Sequence, residues 1–158
     1  MMNRSENPMH RRARRGFSLI ELSLTLAIIA VIAGIASPRY VSALQNYRSA
    51  LAAERVVANL TFARNRARTT GSSVTVTLNL ASETMTMNVP DINVPTRTFI
   101  DDLSAPPYEA NIAAGSIGTT TITFDAYGRA DHEGTIFVSA GNVVTTVVLQ
   151  VDGRATIQ

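Results

Sequence analysis

Between Phe17 and Ala36 the chain holds twenty residues with a single formal charge, Glu21, and five arginines stand ahead of them: Arg4, Arg11, Arg12, Arg14 and Arg15. Twenty helical residues rise about 30 Å, the thickness of a bilayer's hydrocarbon core. The stretch predicts a membrane-crossing helix, and the arginines orient it with its N-terminal end in the cytoplasm and the remaining chain outside. Glu21 is the anomaly. A carboxylate inside a span costs about 3 kcal/mol or more and usually marks function. The competing reading is an ordinary secretory signal, which ends in a small-x-small cleavage site. Ala30 to Ala36 supplies such a site only loosely.

The run Arg15-Gly16-Phe17-Ser18-Leu19-Ile20-Glu21-Leu22 resembles the processing and methylation motif of type IV prepilins and type II secretion prepseudopilins. The resemblance implies cleavage between Gly16 and Phe17 by a prepilin peptidase, then N-methylation of the new Phe17 amine. It also implies that the apolar segment is kept as an anchor and assembly helix. Glu21, fifth from the new terminus, is expected to pair with the Phe17 amine of a neighbouring subunit. The pairing is physically sensible: the anchor carries one anion, cleavage creates one cation, and each lowers the cost of burying the other.

Removing a sixteen-residue leader and a membrane helix from 158 residues leaves about 120, enough for one small domain. Its core must come from Val, Ile, Leu and Ala, because aromatics make up only 6% of the chain. The net charge of +2 misleads, since five of the fourteen arginines but one of the twelve acids precede Phe17. From Phe17 onward nine arginines face eleven acids, so the processed chain lacks the general basicity that attracts nucleic acid. The absence of cysteine excludes disulfides, thiol catalysis and thiolate metal sites.

Four segments are expected: a leader at 1–16, a transmembrane and assembly helix at 17–37, an amphipathic helix at 38–71, and a β domain at 72–158. Pro38 removes a hydrogen bond and crowds the preceding turn, so a helix kink is expected there. Past it, Tyr40, Leu44, Tyr47, Leu51, Val57, Leu60, Ala63 and Ala67 recur mostly at three or four residues, a helix with one docking face. Gly71 stops it. Alternation then changes to period two. Val74–Leu80 and Met85–Val89 read as a hairpin; Arg97–Ile100, Thr119–Phe124, Thr135–Ser139, Val143–Val151 and Ala155–Ile157 read as further strands. Pro90 to Gly118 is irregular, broken by Pro90, Pro95, Pro106, Pro107 and Gly115. The fold class is α+β: a long N-terminal helix, half transmembrane and half amphipathic, docked on an antiparallel β-sheet or sandwich domain.

Leu60–Gly71 running into Val74-Thr75-Val76, Ile122–Gly128, and the closing hairpin with Asp152-Gly153-Arg154 resemble the GspH/FimT family of minor pseudopilins and minor pilins. That resemblance implies a pilin-like fold, other pilin or pseudopilin subunits as partners, and single-pass residence in a bacterial inner membrane. The β domain is then periplasmic and enters a periplasmic or cell-surface filament.

Chemistry elsewhere is sparse. Asp131, His132 and Glu133 offer a metal or acid–base reading, outweighed by that of a solvated turn because metal ligands normally converge from separate segments. Asp101, Asp102 and Asp125 lack a shaped calcium loop. Arg64 and Arg68 share a helix face, and with Arg154 they form the candidate DNA-binding set. No phosphate loop or Ser–His pairing is present. The two resemblances imply a structural subunit of a type II secretion pseudopilus, and with no catalytic constellation in view the chain is expected to be no enzyme and to hold no cofactor or metal. The alternative is a FimT-like minor pilin that binds DNA for uptake, which the acidic mature chain disfavours.

Overall fold

The computed structural model describes residues 16–91 and 94–158, with Ala36 described by its backbone alone; the leader up to Arg15 lies outside the described residues. The chain divides into two compact units, Met1–Arg39 and Tyr40–Gln158. Helix α1 (Leu19–Thr70) contributes to both.

In the first unit the apolar side chains of α1 are bare. Leu19, Leu22, Leu26, Ile29 and Ile32 are all more than half exposed. The helix is long and apolar enough to cross a membrane, and none of its apolar window is buried within the chain. Two of its hydroxyls bond back to the helix: Ser23 donates to the Ile20 carbonyl at 2.9 Å and Thr25 to the Leu22 carbonyl at 2.8 Å. Such back-bonding removes the cost of an unpaired hydroxyl in an apolar medium.

In the second unit, Tyr40–Gln158, the remainder of α1 packs against eight strands. They are β1 (Val74–Asn79), β2 (Thr84–Pro90), β3 (Thr98–Asp102), β4 (Asn111–Ala114), β5 (Thr121–Phe124), β6 (Gly134–Ala140), β7 (Val143–Leu149) and β8 (Ala155–Ile157). They form two antiparallel sheets rather than one, ordered β3-β2-β1-β5 and β4-β6-β7-β8. Alternation dictates the layering. Val74, Val76 and Leu78 point inward while Thr75, Thr77 and Asn79 point out, and β2 answers with Met85 and Met87 inside. Ile112, Ile136, Val138, Val147 and Leu149 supply the second sheet's share of the core.

The docked face of α1 differs from the one read in the sequence. Leu60, Ala63 and Ala67 are buried as expected, but Tyr40 and Tyr47 are 71% and 61% exposed, and Leu44, Leu51 and Val57 are only half-buried. The buried stripe is Ser49, Ala52, Ala53, Val56, Asn59, Leu60, Ala63 and Ala67. Alanines let the helix axis approach the sheets closely, so the bulky residues fall to the flanks. Ser49 is accommodated because its hydroxyl donates to the Val138 carbonyl at 3.1 Å and lies 2.7 Å from Thr145 Oγ1. Asn59 is accommodated because it donates to Asp101. Gly71, at φ 64°, ends α1 in the left-handed conformation that a C-terminal cap requires.

Strand β4 lies in the segment read as irregular. It pairs with β6, and the Ile112 N–H at its other edge is taken by the Glu83 carboxylate. Glu83 sits at φ 54°, a costly conformation for a side chain with a Cβ, between β1 and β2.

Candidate functional site

Gly16, Phe17 and Ser18 precede α1, and Glu21 lies in its first turn. Gly16 has open space where a side chain would stand, and Phe17 is 80% exposed. The four residues line one shallow depression. Three features therefore coincide: a non-helical, unshielded Gly16–Phe17 peptide, a bare apolar helix, and an exposed carboxylate one turn in. A protease can engage the first, and a cation near the helix start can meet the last.

Pro38 lies inside α1, which continues as helix through it, and the boundary between the two units falls one residue later, after Arg39. A bend at Pro38 stays a sequence expectation.

The three candidate DNA-binding arginines gather at the far end of the second unit. Arg64 Nε donates to the Gly128 carbonyl at 3.3 Å. Gly128, at φ 81°, rests on the side-chain stems of Arg64 and Arg68, where a Cβ would stand 2.7 Å from Arg68 Cδ. Gly153, at φ 78°, lies so close to the Gly128 carbonyl that any Cβ would overlap it. The turns β5–β6 and β7–β8 thus nest on the end of α1. Arg64, Arg68, Tyr127, Arg129 and Asp152 line one surface depression, with the Arg154 guanidinium held 3.3 Å from Asp152. Tyr127 and Arg129 are members that sequence reading missed. Arg129 Nε lies 3.1 Å from Asp125 and its guanidinium 5.5 Å from the Tyr127 ring centre. Their signal was the turn Asp125-Ala126-Tyr127-Gly128 and the arginine after it, which faces the arginines of a distant helix.

Asp101, Asp102, Asp125 and Asp131 are already engaged. Asp101 receives Arg55 Nε at 2.7 Å and Nη2 at 3.1 Å, and this hydrogen bond raises the proton affinity of Arg55. The Ser104 hydroxyl and N–H hold Asp102 below its usual range. The Arg129 N–H, with its guanidinium and the Tyr127 N–H, does the same for Asp125. Burial pushes the Asp131 carboxyl up, but the Thr123 N–H and His132 outweigh it and the net direction is down. No three His, Cys, Asp or Glu residues converge on a metal position among the described residues.

The chain matches two family models: the prokaryotic N-terminal methylation motif over residues 11–37 and the type II transport protein GspH over residues 52–153. No curated protein matches the sequence. Among solved structures, the type IV minor pilin FimU of Pseudomonas aeruginosa strain PAO1 is 19% identical with a TM-score of 0.56, covering 72% of this chain and 90% of that one. A second crystal form of it gives 19%, 0.52, 68% and 90%. The likeness to FimU shows a pilin-like α+β fold. With a prepilin-type methylation motif at its start and the GspH model matched over most of the β-bearing unit, the chain belongs to the GspH family and is a minor pseudopilin or pilin subunit.

Proposed function

We propose that this chain is a minor subunit of a type II secretion pseudopilus, matured by a prepilin peptidase and assembled through its N-terminal helix to support protein secretion. In this reading residues 1–16 are the leader, removed at Gly16–Phe17, and Phe17 is then N-methylated. Residues 17–37 anchor the chain in the inner membrane, residues 38–71 dock on the β domain, and residues 72–158 stand in the periplasm. Pro38 marks where the helix bends. The chain acts by packing, without catalysis.

The observation that carries the reading is the exposed Glu21 carboxylate in the first turn of a bare apolar helix, beside an unshielded Gly16–Phe17 peptide. A lone carboxylate in an apolar medium demands a cation, and cleavage creates one on a neighbouring subunit. The description of the matched family model, a type II transport protein, is what supports naming the secretion system, while the FimU fold is shared with type IV minor pilins. The test is intact mass and N-terminal sequencing of membrane-extracted protein, with and without a prepilin peptidase. A methylated Phe17 terminus that depends on the peptidase is expected. A terminus at Met1 or near Ala36 overturns the reading.

The second reading, a type IV minor pilin that contacts DNA, is favoured by the grouping of Arg64, Arg68, Arg129 and Arg154 around Tyr127. Two of those four arginines are already paired with Asp125 and Asp152, which weakens it. Salt-sensitive binding of duplex DNA, lost in an Arg64→Ala/Arg68→Ala variant, is its required result.

A further inference from the structure

Residues 119–124 read Thr-Thr-Thr-Ile-Thr-Phe: β-branched or aromatic throughout, without charge, proline or glycine. Six such residues form the composition most prone to pair with copies of themselves. Here the segment is not hidden in the middle of a sheet. It includes β5, the outermost strand of the first sheet, and Thr121 is exposed. An uncovered edge of this kind is a template for strand addition.

The edge is nevertheless fully occupied by the chain itself. The Thr119 hydroxyl accepts the Thr121 N–H at 3.1 Å and donates to the Thr121 carbonyl at 3.2 Å. Asp131 serves Thr123 in the same double manner: its carboxylate accepts the Thr123 N–H at 2.8 Å, and its own N–H donates to the Thr123 carbonyl at 3.0 Å. Beyond them the Asp125 N–H bonds the Arg129 carbonyl, and Ala130 bridges Phe124. Two side chains and a short return of backbone thus cap every outward N–H from Thr121 to Asp125.

We propose that Thr119 and Asp131 form a latch that keeps the β5 edge from pairing with β5 of a second copy of this chain. A second copy is the partner the chemistry selects, because antiparallel self-pairing sets uncharged threonines against uncharged threonines. The latch does not depend on which filament the subunit enters.

The sequence contains no cysteine, so one introduced thiol reports a single position. Full-length chain carrying Thr121→Cys is placed in detergent micelles and treated with a short bis-maleimide, whose reach tolerates either pairing register. The backgrounds are wild type, Asp131→Ala, Asp131→Asn, Thr119→Val and the Thr119→Val/Asp131→Ala pair. Ser139→Cys, on the other sheet, reports association by any other route, including through α1. Asp131→Ala is expected to raise Thr121 cross-linking about fivefold over the Ser139 control, the factor of one hydrogen bond to a half-exposed charge. The double variant is expected to raise it further. Asp131→Asn, which keeps an acceptor oxygen, is expected to stay near wild type. Equal cross-linking in wild type and in a folded Asp131→Ala variant overturns the proposal, as does an Asp131→Asn variant that opens as far as Asp131→Ala. If Asp131→Ala loses its fold by circular dichroism, Thr119→Val decides by the same comparison.

Discussion

Replacing Asp101 with alanine tests how the helix is held to the first sheet. The Asp101 side chain is 12% exposed and takes two hydrogen bonds from Arg55 and one from Asn59, itself 3% exposed. Alanine strands these donors unequally. Arg55 is 41% exposed on its side chain and rehydrates, so its loss is near the surface-pair value of about 1 kcal/mol. Asn59, 3% exposed, keeps the weak Met85 sulfur acceptor at 3.8 Å. An orphaned buried amide costs about 2 kcal/mol. The combined loss is about 3 kcal/mol, or about 12 °C in the melting temperature of a domain this size. Asp101→Asn keeps one acceptor oxygen and should lose about a third as much. Thermal unfolding of the full chain in micelles, followed by far-ultraviolet circular dichroism, measures both. A folded Asp101→Ala variant melting within about 2 °C of wild type refutes the reasoning, since it means that the three bonds contribute no net stability.

Other outcomes follow from the same contacts. Glu21→Ala should leave peptidase cleavage intact and abolish recovery in sheared filaments; normal filament incorporation on immunoblots refutes the proposed pairing with the Phe17 amine. Gly153→Ala, forced into both a left-handed backbone and the Gly128 carbonyl, should cost about 2–3 kcal/mol, read as a melting shift. Ser49→Ala leaves the Val138 carbonyl and Thr145 hydroxyl short of a partner and should cost about 1–2 kcal/mol by the same melts. Asp102, Asp125 and Asp131 all have carboxyls held below their usual range. Their contribution is present above the unfolded value of about 4 and is lost as pH falls through the lower folded values. These three groups should therefore lower the melting temperature as pH falls below about 4; a melting temperature that rises on acidification through that range contradicts this.

What the sequence displayed depended on periodicity. The hairpin of β1 and β2 and the trio β6, β7 and β8 were legible because inward valines and methionines alternate with threonines between clear turn residues. β4 was not, since four residues with one buried side chain, Ile112, give no period, and prolines and glycines surround them. The docking face of α1 was misplaced for a related reason. Periodicity arguments weight large side chains, and here the closest approach is made by alanines, with Ser49 and Asn59 satisfied by distant partners. At the candidate sites, Gly16, Phe17 and Glu21 were legible because a contiguous motif needs no folding to be assembled. Arg64, Arg68 and Arg154 could be named, but that two glycine turns bring them to Tyr127 and Arg129 is a property of the tertiary structure.

The ties between α1 and the rest of the second unit are spread along the helix. Arg48 meets Glu109, Ser49 meets Val138 and Thr145, Arg55 and Asn59 meet Asp101, and Arg64 meets Gly128. From Arg48 to Arg64 they span seventeen residues, about 24 Å of helix. A load applied along the helix axis is then shared by every tie at once, as in a riveted lap joint. A load applied across the axis opens them one after another from the nearest end. The second unit is therefore stiff to a load along the helix axis and peels under a load across it.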